Sequence, residues 1–131
     1  MRVLDTDVCV EILRGNRAVL ARRAAVRDEV CTTWVTAAEL YYGAARSADP
    51  DGNRVLVTAL LRTLRVLAGD LVAARLFGDV RADLERKGTR LADADLFIGA
   101  MAVSRRAVVV TGNRRHFERF PGVTIEDWIR G

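Results

Sequence analysis

Residues 3–7 read V-L-D-T-D: an apolar pair, Val3-Leu4, runs into two acids around Thr6, and Val8-Cys9-Val10 turns apolar again. Two carboxylates at the seam between two buried-looking segments need a reason, because burying unpaired charge costs several kcal/mol. Either they cap something or they hold something. Val3-Leu4 reads as a short first strand. Thr6 to Leu13 has helical spacing, with Val8, Ile12 and Leu13 as its apolar positions and Gly15 as its stop.

The alternation continues outward from this junction. Ala18 to Val26 reads as a second helix with Arg22, Arg23 and Arg27 outside, and Val30 to Trp34 as a strand. Thr36 to Ala45 is helical. Ala48-Asp49-Pro50-Asp51-Gly52 reads as a loop, followed by a helix from Arg54 to Leu64. Arg65 to Leu67 is a brief strand. Leu71 to Lys87 is a helix ended by Gly88. Asp93 to Arg105 is a helix apolar nearly all round, hence buried. Ala107 to Val110 is β-branched strand, and Pro121-Gly122 turns into a last strand at Val123 to Ile125. Strands alternating with helices imply an α/β domain with a mostly parallel central sheet. In such sheets, sites form beyond the carboxyl ends of the strands.

A chain of 131 residues, half of them apolar, fits one globular domain spanning 1–131. Cys9 and Cys31 sit in apolar segments and are too few for a disulfide framework, so they read as buried reduced thiols in a cytoplasmic protein. Met1-Arg2-Val3 opens no secretory segment. The apolar run Leu96 to Val103 is far short of the roughly 18 residues that span a membrane. Net charge is +4 and 20 of the 21 basic residues are Arg, Lys87 being the exception. Arg grips phosphate bidentately, which suits a nucleic-acid partner. Arg-rich codon usage in a GC-rich genome gives the same composition.

The acids fall at strand ends and helix starts. Asp5 and Asp7 follow the first strand, Glu39 opens the helix after the second, and Asp93 and Asp95 open the apolar helix in L-A-D-A-D-L-F-I-G-A. Thr111 and Asn113 follow A-V-V-V. Each has a structural explanation. Asp5, Asp7 or Asp93 can cap a helix, Thr36-x-x-Glu39 matches a capping box, Asp95 suits a helix dipole, and Asn113 suits a turn. Their joint placement asks for more. Two carboxylates ~5 Å apart at an effective dielectric of ~20 repel by about 3 kcal/mol. A divalent cation removes that penalty, and an all-oxygen ligand set selects Mg²⁺ or Mn²⁺ over Zn²⁺. His116, between Arg115 and Phe117, reads as a surface or turn residue rather than a ligand.

With these residues in view, the chain resembles the PIN domains. V-L-D-T-D resembles their opening motif, T-A-A-E-L-Y-Y-G-A the second, and R-A-D-L-E-R-K-G-T-R-L-A-D-A-D-L-F-I-G-A-M-A the third. V-V-V-T-G-N-R-R-H-F-E-R-F-P-G-V-T-I-E-D-W resembles the fourth motif and terminal strand. Together, in order, they are similar to the VapC toxins of type II toxin–antitoxin modules. The resemblance implies a three-layer fold and an Mg²⁺-dependent endoribonuclease. It also implies a VapB-type antitoxin, a homodimer and a larger toxin–antitoxin complex. By position it makes Asp5, Glu39 and Asp95 the acidic triad and puts Asn113 in the fourth place; on that basis Asp5 and Asp95 are expected to hold the metal, directly or through water, with Glu39 nearby. Thr6 and Thr111 become orienting hydroxyls and Asp93 an auxiliary acid. Asp7 departs from the Asn or Ser usual there, adding charge that either strengthens metal binding or repels the phosphate. Arg86, Lys87, Arg90, Arg114 and Arg115 flank the acidic motifs and either grip RNA or are solvated surface. Trp34, Tyr41, Tyr42, Leu61, Leu64 and Phe77 supply apolar surface for a second copy and the antitoxin.

Two rival readings stay open. Asp-Thr-Asp resembles the opening of haloacid-dehalogenase-type phosphatases, but Lys87 is misplaced for that chemistry and the chain is short. A PIN-fold module that binds RNA or a partner without catalysis is the other.

Overall fold

Side chains alternate across the central strands, and this sorts the apolar residues into two cores. In the computed structural model, which describes all of residues 1–131, Val3 and Val109 face one core while their neighbours Leu4 and Val110 face the other. The strands are β1 (Arg2–Leu4), β2 (Val30–Thr33), β3 (Arg65–Leu67), β4 (Val108–Val110) and β5 (Thr124–Glu126). They form one sheet in the order β3-β2-β1-β4-β5. Every neighbouring pair is parallel. Parallel strands need helical crossovers, and these cover both faces.

The helices are α1 (Thr6–Leu13), α2 (Arg17–Ala25), α3 (Trp34–Ala45), α4 (Pro50–Leu61), α5 (Leu71–Arg86), α6 (Asp93–Ser104) and α7 (Arg114–Glu118). Val80 and Leu84 of α5, Leu96, Ile98 and Met101 of α6 and Phe117 of α7 pack beneath Val3 and Val109. Val8 of α1, Val19 of α2, Leu40 of α3 and Val57 of α4 pack on the opposite face with Leu4 and Trp128. The result is the expected three-layer α/β fold. Cys9 and Cys31 are buried free thiols. Burial pushes them up to about 12 and about 11.

Four local readings are corrected. Asp49-Pro50-Asp51-Gly52 is a helix start rather than a loop: the Asp49 carboxylate accepts from the Gly52 N–H at 3.1 Å, and Pro50 opens α4. Proline is tolerated there because its missing N–H would be unpaired anyway. Strand β2 stops at Thr33, whose hydroxyl accepts the Thr36 N–H at 3.2 Å and so starts α3 at Trp34. Helix α7 is absent from the sequence reading because five residues are too few to show a period. Its anchor, Phe117, is fully buried. Leu64 lies in the core rather than on a docking surface, and Leu61 and Phe77 pack against the core. Trp34, Tyr41 and Tyr42 remain exposed.

Candidate active site at the carboxyl edge of the sheet

Strands β1 and β4 are adjacent although the chain visits β2 and β3 between them. Successive crossovers therefore leave β1 in one direction and β4 in the other, and a crevice opens past their carboxyl ends. Asp5 directly follows β1 and Thr111 directly follows β4. The Asp5 N–H donates to the Val110 carbonyl at 2.9 Å, extending the ladder by one bond. Asp5 is 3 % exposed. Its Oδ1 accepts the Thr6 N–H at 2.8 Å and its Oδ2 accepts the Thr111 hydroxyl at 2.7 Å. Burial pushes the Asp5 carboxyl up to about 7; the Thr111 bond opposes this, while the Asp7 and Asp95 charges reinforce it.

That shift has a sign. A raised carboxyl binds its proton more tightly folded than unfolded. Its contribution to stability is present below about pH 4 and lost as pH rises through about 7, at no more than about 1.4 kcal/mol per pH unit. In chelator, the parent is expected to melt lower at pH 8 than at pH 5.5, and Asp5→Asn to lose that component. An identical pH slope in the two proteins would exclude Asp5 as its source.

Glu39 reaches the same edge from α3. The Thr6 hydroxyl donates to Glu39 Oε1 at 2.7 Å and lies 3.2 Å from the Thr36 hydroxyl. The capping-box reading of Thr36 and Glu39 fails. The N-cap is Thr33, Thr36 is a buried helical residue, and Glu39 lies within α3 rather than at its opening. The caps of α6 give a parallel result. Its N-cap is Ala92 with no side-chain bond, so neither Asp93 nor Asp95 caps it. Asp95 has a 15 % exposed side chain, and its Oδ2 lies 3.0 Å from His116 Nδ1. An ionised carboxylate can only accept, so the pair is a hydrogen bond in the tautomer that carries its hydrogen on Nδ1. Asp93 turns away to Arg81 at 3.4 Å and is largely exposed. Asn113 is exposed at the start of α7, and its N–H donates to Thr111 Oγ1 at 2.9 Å. Asp7 accepts the Gly112 N–H on Oδ2 at 2.8 Å, while its Oδ1 is buried with no hydrogen-bond partner.

A PIN domain family model matches residues 2–123. The tRNA(fMet)-specific endonuclease VapC of Salmonella typhimurium is 39% identical over 127 residues, covering 96% of each chain. The chain belongs to the VapC ribonucleases of the PIN domain family. Ribonuclease VapC2 of Haemophilus influenzae is 31% identical, covering 97% of each chain. A crystal structure of DNA-bound VapBC from Salmonella typhimurium matches at a TM-score of 0.92 and 39% identity, covering 97% of both chains.

In this VapC-type nuclease the fold draws the expected residues together unevenly. Asp5, Thr6, Glu39 and Thr111 share one chain of hydrogen bonds, and Asp95 acts on Asp5 through its charge. Asp93 stands apart with Arg81. No three His, Cys, Asp or Glu side chains stand close enough to enclose a metal among them. An Mg²⁺ ion does not require such an enclosure. This ion is held through one or two carboxylates and retained waters rather than an all-protein cage. Asp5, buried past the end of β1 with both oxygens oriented, and Asp95 in the first turn of α6 are the carboxylates that could serve it. Among the basic residues, Arg86 and Lys87 lie 3.9 Å and 2.9 Å from Asp83, and Arg114 lies 3.9 Å from Glu118. Arg90 and Arg115 are exposed. Sequence reasoning missed Thr36, and it set His116 aside as surface. The ring is half-exposed, yet it meets Asp95. No spacing signals that contact, because α7 carries no readable period.

Proposed function

We propose that residues 1–131 form one PIN domain that acts as a Mg²⁺-dependent endoribonuclease, the toxin of a type II toxin–antitoxin pair, with tRNA among its substrates. The observation that carries this is Asp5: a buried carboxyl at the tip of a central strand, oriented by two donors and crowded by two other carboxylates. Asp5 and Asp95 would hold Mg²⁺, with Mn²⁺ able to substitute, and Asn113 would stand as a neutral fourth group. When bound there, the ion would supply an activated water and charge neutralisation at the phosphate. The protein's own share is orientation. The Thr6 N–H and the Thr111 hydroxyl fix the two oxygens of Asp5, the Thr6 hydroxyl holds Glu39 at the edge, and His116 steadies Asp95. Arg86, Lys87, Arg90, Arg114 and Arg115 are exposed cations that can meet the RNA backbone.

The relatives' names support the substrate class, and the VapBC complex supports a VapB-type antitoxin. Exposed Trp34, Tyr41 and Tyr42 offer apolar surface for that partner and for a second copy of the chain. No helix is long and apolar enough to cross a membrane. We place the pair in the cytoplasm, where its RNA is.

The test is incubation of purified protein with total RNA and with tRNA, in Mg²⁺, in Mn²⁺ and in EDTA. Discrete cleavage with either cation and none in EDTA is expected, with no turnover of a small phosphomonoester. Phosphomonoester hydrolysis without RNA cleavage would favour the phosphatase reading. RNA binding without cleavage in either cation would favour the silent module.

A further inference from the structure

We propose that Asp7 and Arg130 form a clamp on the backbone at Gly112, acting as positioning residues for Thr111 and, through it, for Asp5; this rests on the nuclease reading above. The bonds run in series. The Gly112 N–H donates to Asp7 Oδ2 at 2.8 Å, and the Gly112 carbonyl accepts from Arg130 Nη1 at 2.7 Å. The next N–H, that of Asn113, donates to Thr111 Oγ1 at 2.9 Å. A hydroxyl has one hydrogen. Because Thr111 Oγ1 accepts from Asn113, its own hydrogen is left for Asp5 Oδ2, at 2.7 Å. Two peptides after β4 are thus held by an anion on one side and a cation on the other, and the held loop aims the hydroxyl that aims Asp5.

The cation is itself fixed. Asp127 Oδ1 accepts the Ile129 and Arg130 N–H groups at 2.8 and 2.9 Å, and Asp127 Oδ2 lies 3.7 Å from Arg130 Nη1. The chain's last residues therefore reach back to the active edge. There is no slack between the jaws. A Cβ at Gly112 would stand 2.8 Å from both Arg130 Nη1 and Asp7 Oδ2, and 3.1 Å from Ile129 Cδ1. Asp7 also keeps one buried oxygen without a partner. That cost is accepted while its other oxygen makes a charge-assisted bond to the backbone. The residue at position 7 is then an acceptor for Gly112.

Asp7→Ala removes the acceptor, and Asp7→Asn keeps an oxygen that can take its place. Arg130→Ala removes the donor from a side chain that is 69 % exposed, so its fold is not at issue. Arg130→Lys keeps a donor. Two readouts are needed: kcat and KM for RNA cleavage in Mg²⁺, and hydrogen exchange of the Gly112 and Asn113 amides in metal-free protein. Misplacement by about 1 Å can lower a rate on the order of 10²-fold. Asp7→Ala and Arg130→Ala are expected to lower kcat by about 10- to 100-fold with KM little changed. Both should speed exchange at the two amides, and both conservative variants should recover most of the loss. If Asp7→Ala fails to fold, Arg130→Ala carries the test alone. Parental kcat with parental exchange in Arg130→Ala would overturn the clamp. A raised KM at parental kcat would make Arg130 an RNA contact and overturn it equally. If the parent cuts no RNA, the nuclease reading fails, and the exchange data still decide whether the clamp holds the loop.

Discussion

Asp95→Asn is expected to give a folded protein that cuts RNA at least about 10²-fold more slowly than the parent, the scale seen when one electrostatic group is removed from an active site. The substitution separates two roles. Asn is as good an N-cap as Asp, so a capping Asp95 would tolerate it. Helix α6 is capped at Ala92 with no side-chain bond; Asp95 instead meets His116, and its charge is felt at Asp5. Its amide oxygen can still accept from His116 Nδ1, so the contact between α6 and α7 survives. What disappears is a negative charge, one of the two proposed to hold the cation. The same charge raises the Asp5 pKa, so its removal relieves crowding. In EDTA, the melting temperature of Asp95→Asn should match or exceed that of the parent. The measurements are initial cleavage rates in Mg²⁺, circular dichroism to establish the fold, and thermal melts in chelator. A folded variant cutting at the parental rate would remove Asp95 from the site.

The fold was legible wherever a period had room to show. Thr6 to Leu13 has the predicted bounds of α1, and the nearly all-apolar run after Asp93 is the buried α6. Alternation of strands and helices gave the parallel sheet, and the motif order gave the family. The failures are local and physical. Proline and glycine mark loops and helix starts alike, so α4 began four residues later in the sequence reading, at Arg54 rather than Pro50. Thr36 and Glu39 have capping-box spacing, but a threonine three residues earlier is the actual cap. A single residue's partner is the least legible feature. Neither His116 against Asp95, nor Asp93 against Arg81, nor Arg130 against Gly112 follows from spacing, because each pair joins two separate elements whose relative placement no single periodicity encodes.

Gly99→Val is expected to destabilise the protein by about 3 kcal/mol, the upper end of the usual range for overpacking a core. Helix propensity alone argues the other way for the smaller change to Ala, since a glycine inside a helix costs about 1 kcal/mol relative to alanine. Gly99 is in the middle of α6, buried, and the ring of Phe120 lies directly against it. A Cβ there would stand 2.7 Å from Phe120 Cδ2 and 3.0 Å from its Cε2 and Cγ. Phe120 is 1 % exposed, so its ring is enclosed and cannot swing out to solvent. Overpacking of about 1–3 kcal/mol therefore outweighs the propensity gain, and Gly99→Ala should be mildly destabilising. Valine adds two methyl groups to the same space and forfeits part of the propensity gain through its β-branch. Urea titrations of Gly99→Val, Phe120→Leu and the double variant provide the check. Shrinking the ring should relieve the clash, so the double variant should be less destabilised than the sum of the singles, by about 0.5–3 kcal/mol. The damage should also reach the active edge, because α6 carries Asp95 in its first turn. Below its melting transition, Gly99→Val should still cut RNA more slowly than the parent. A stabilising Gly99→Ala, or strict additivity in the double variant, would show that the ring does not set the position of this helix.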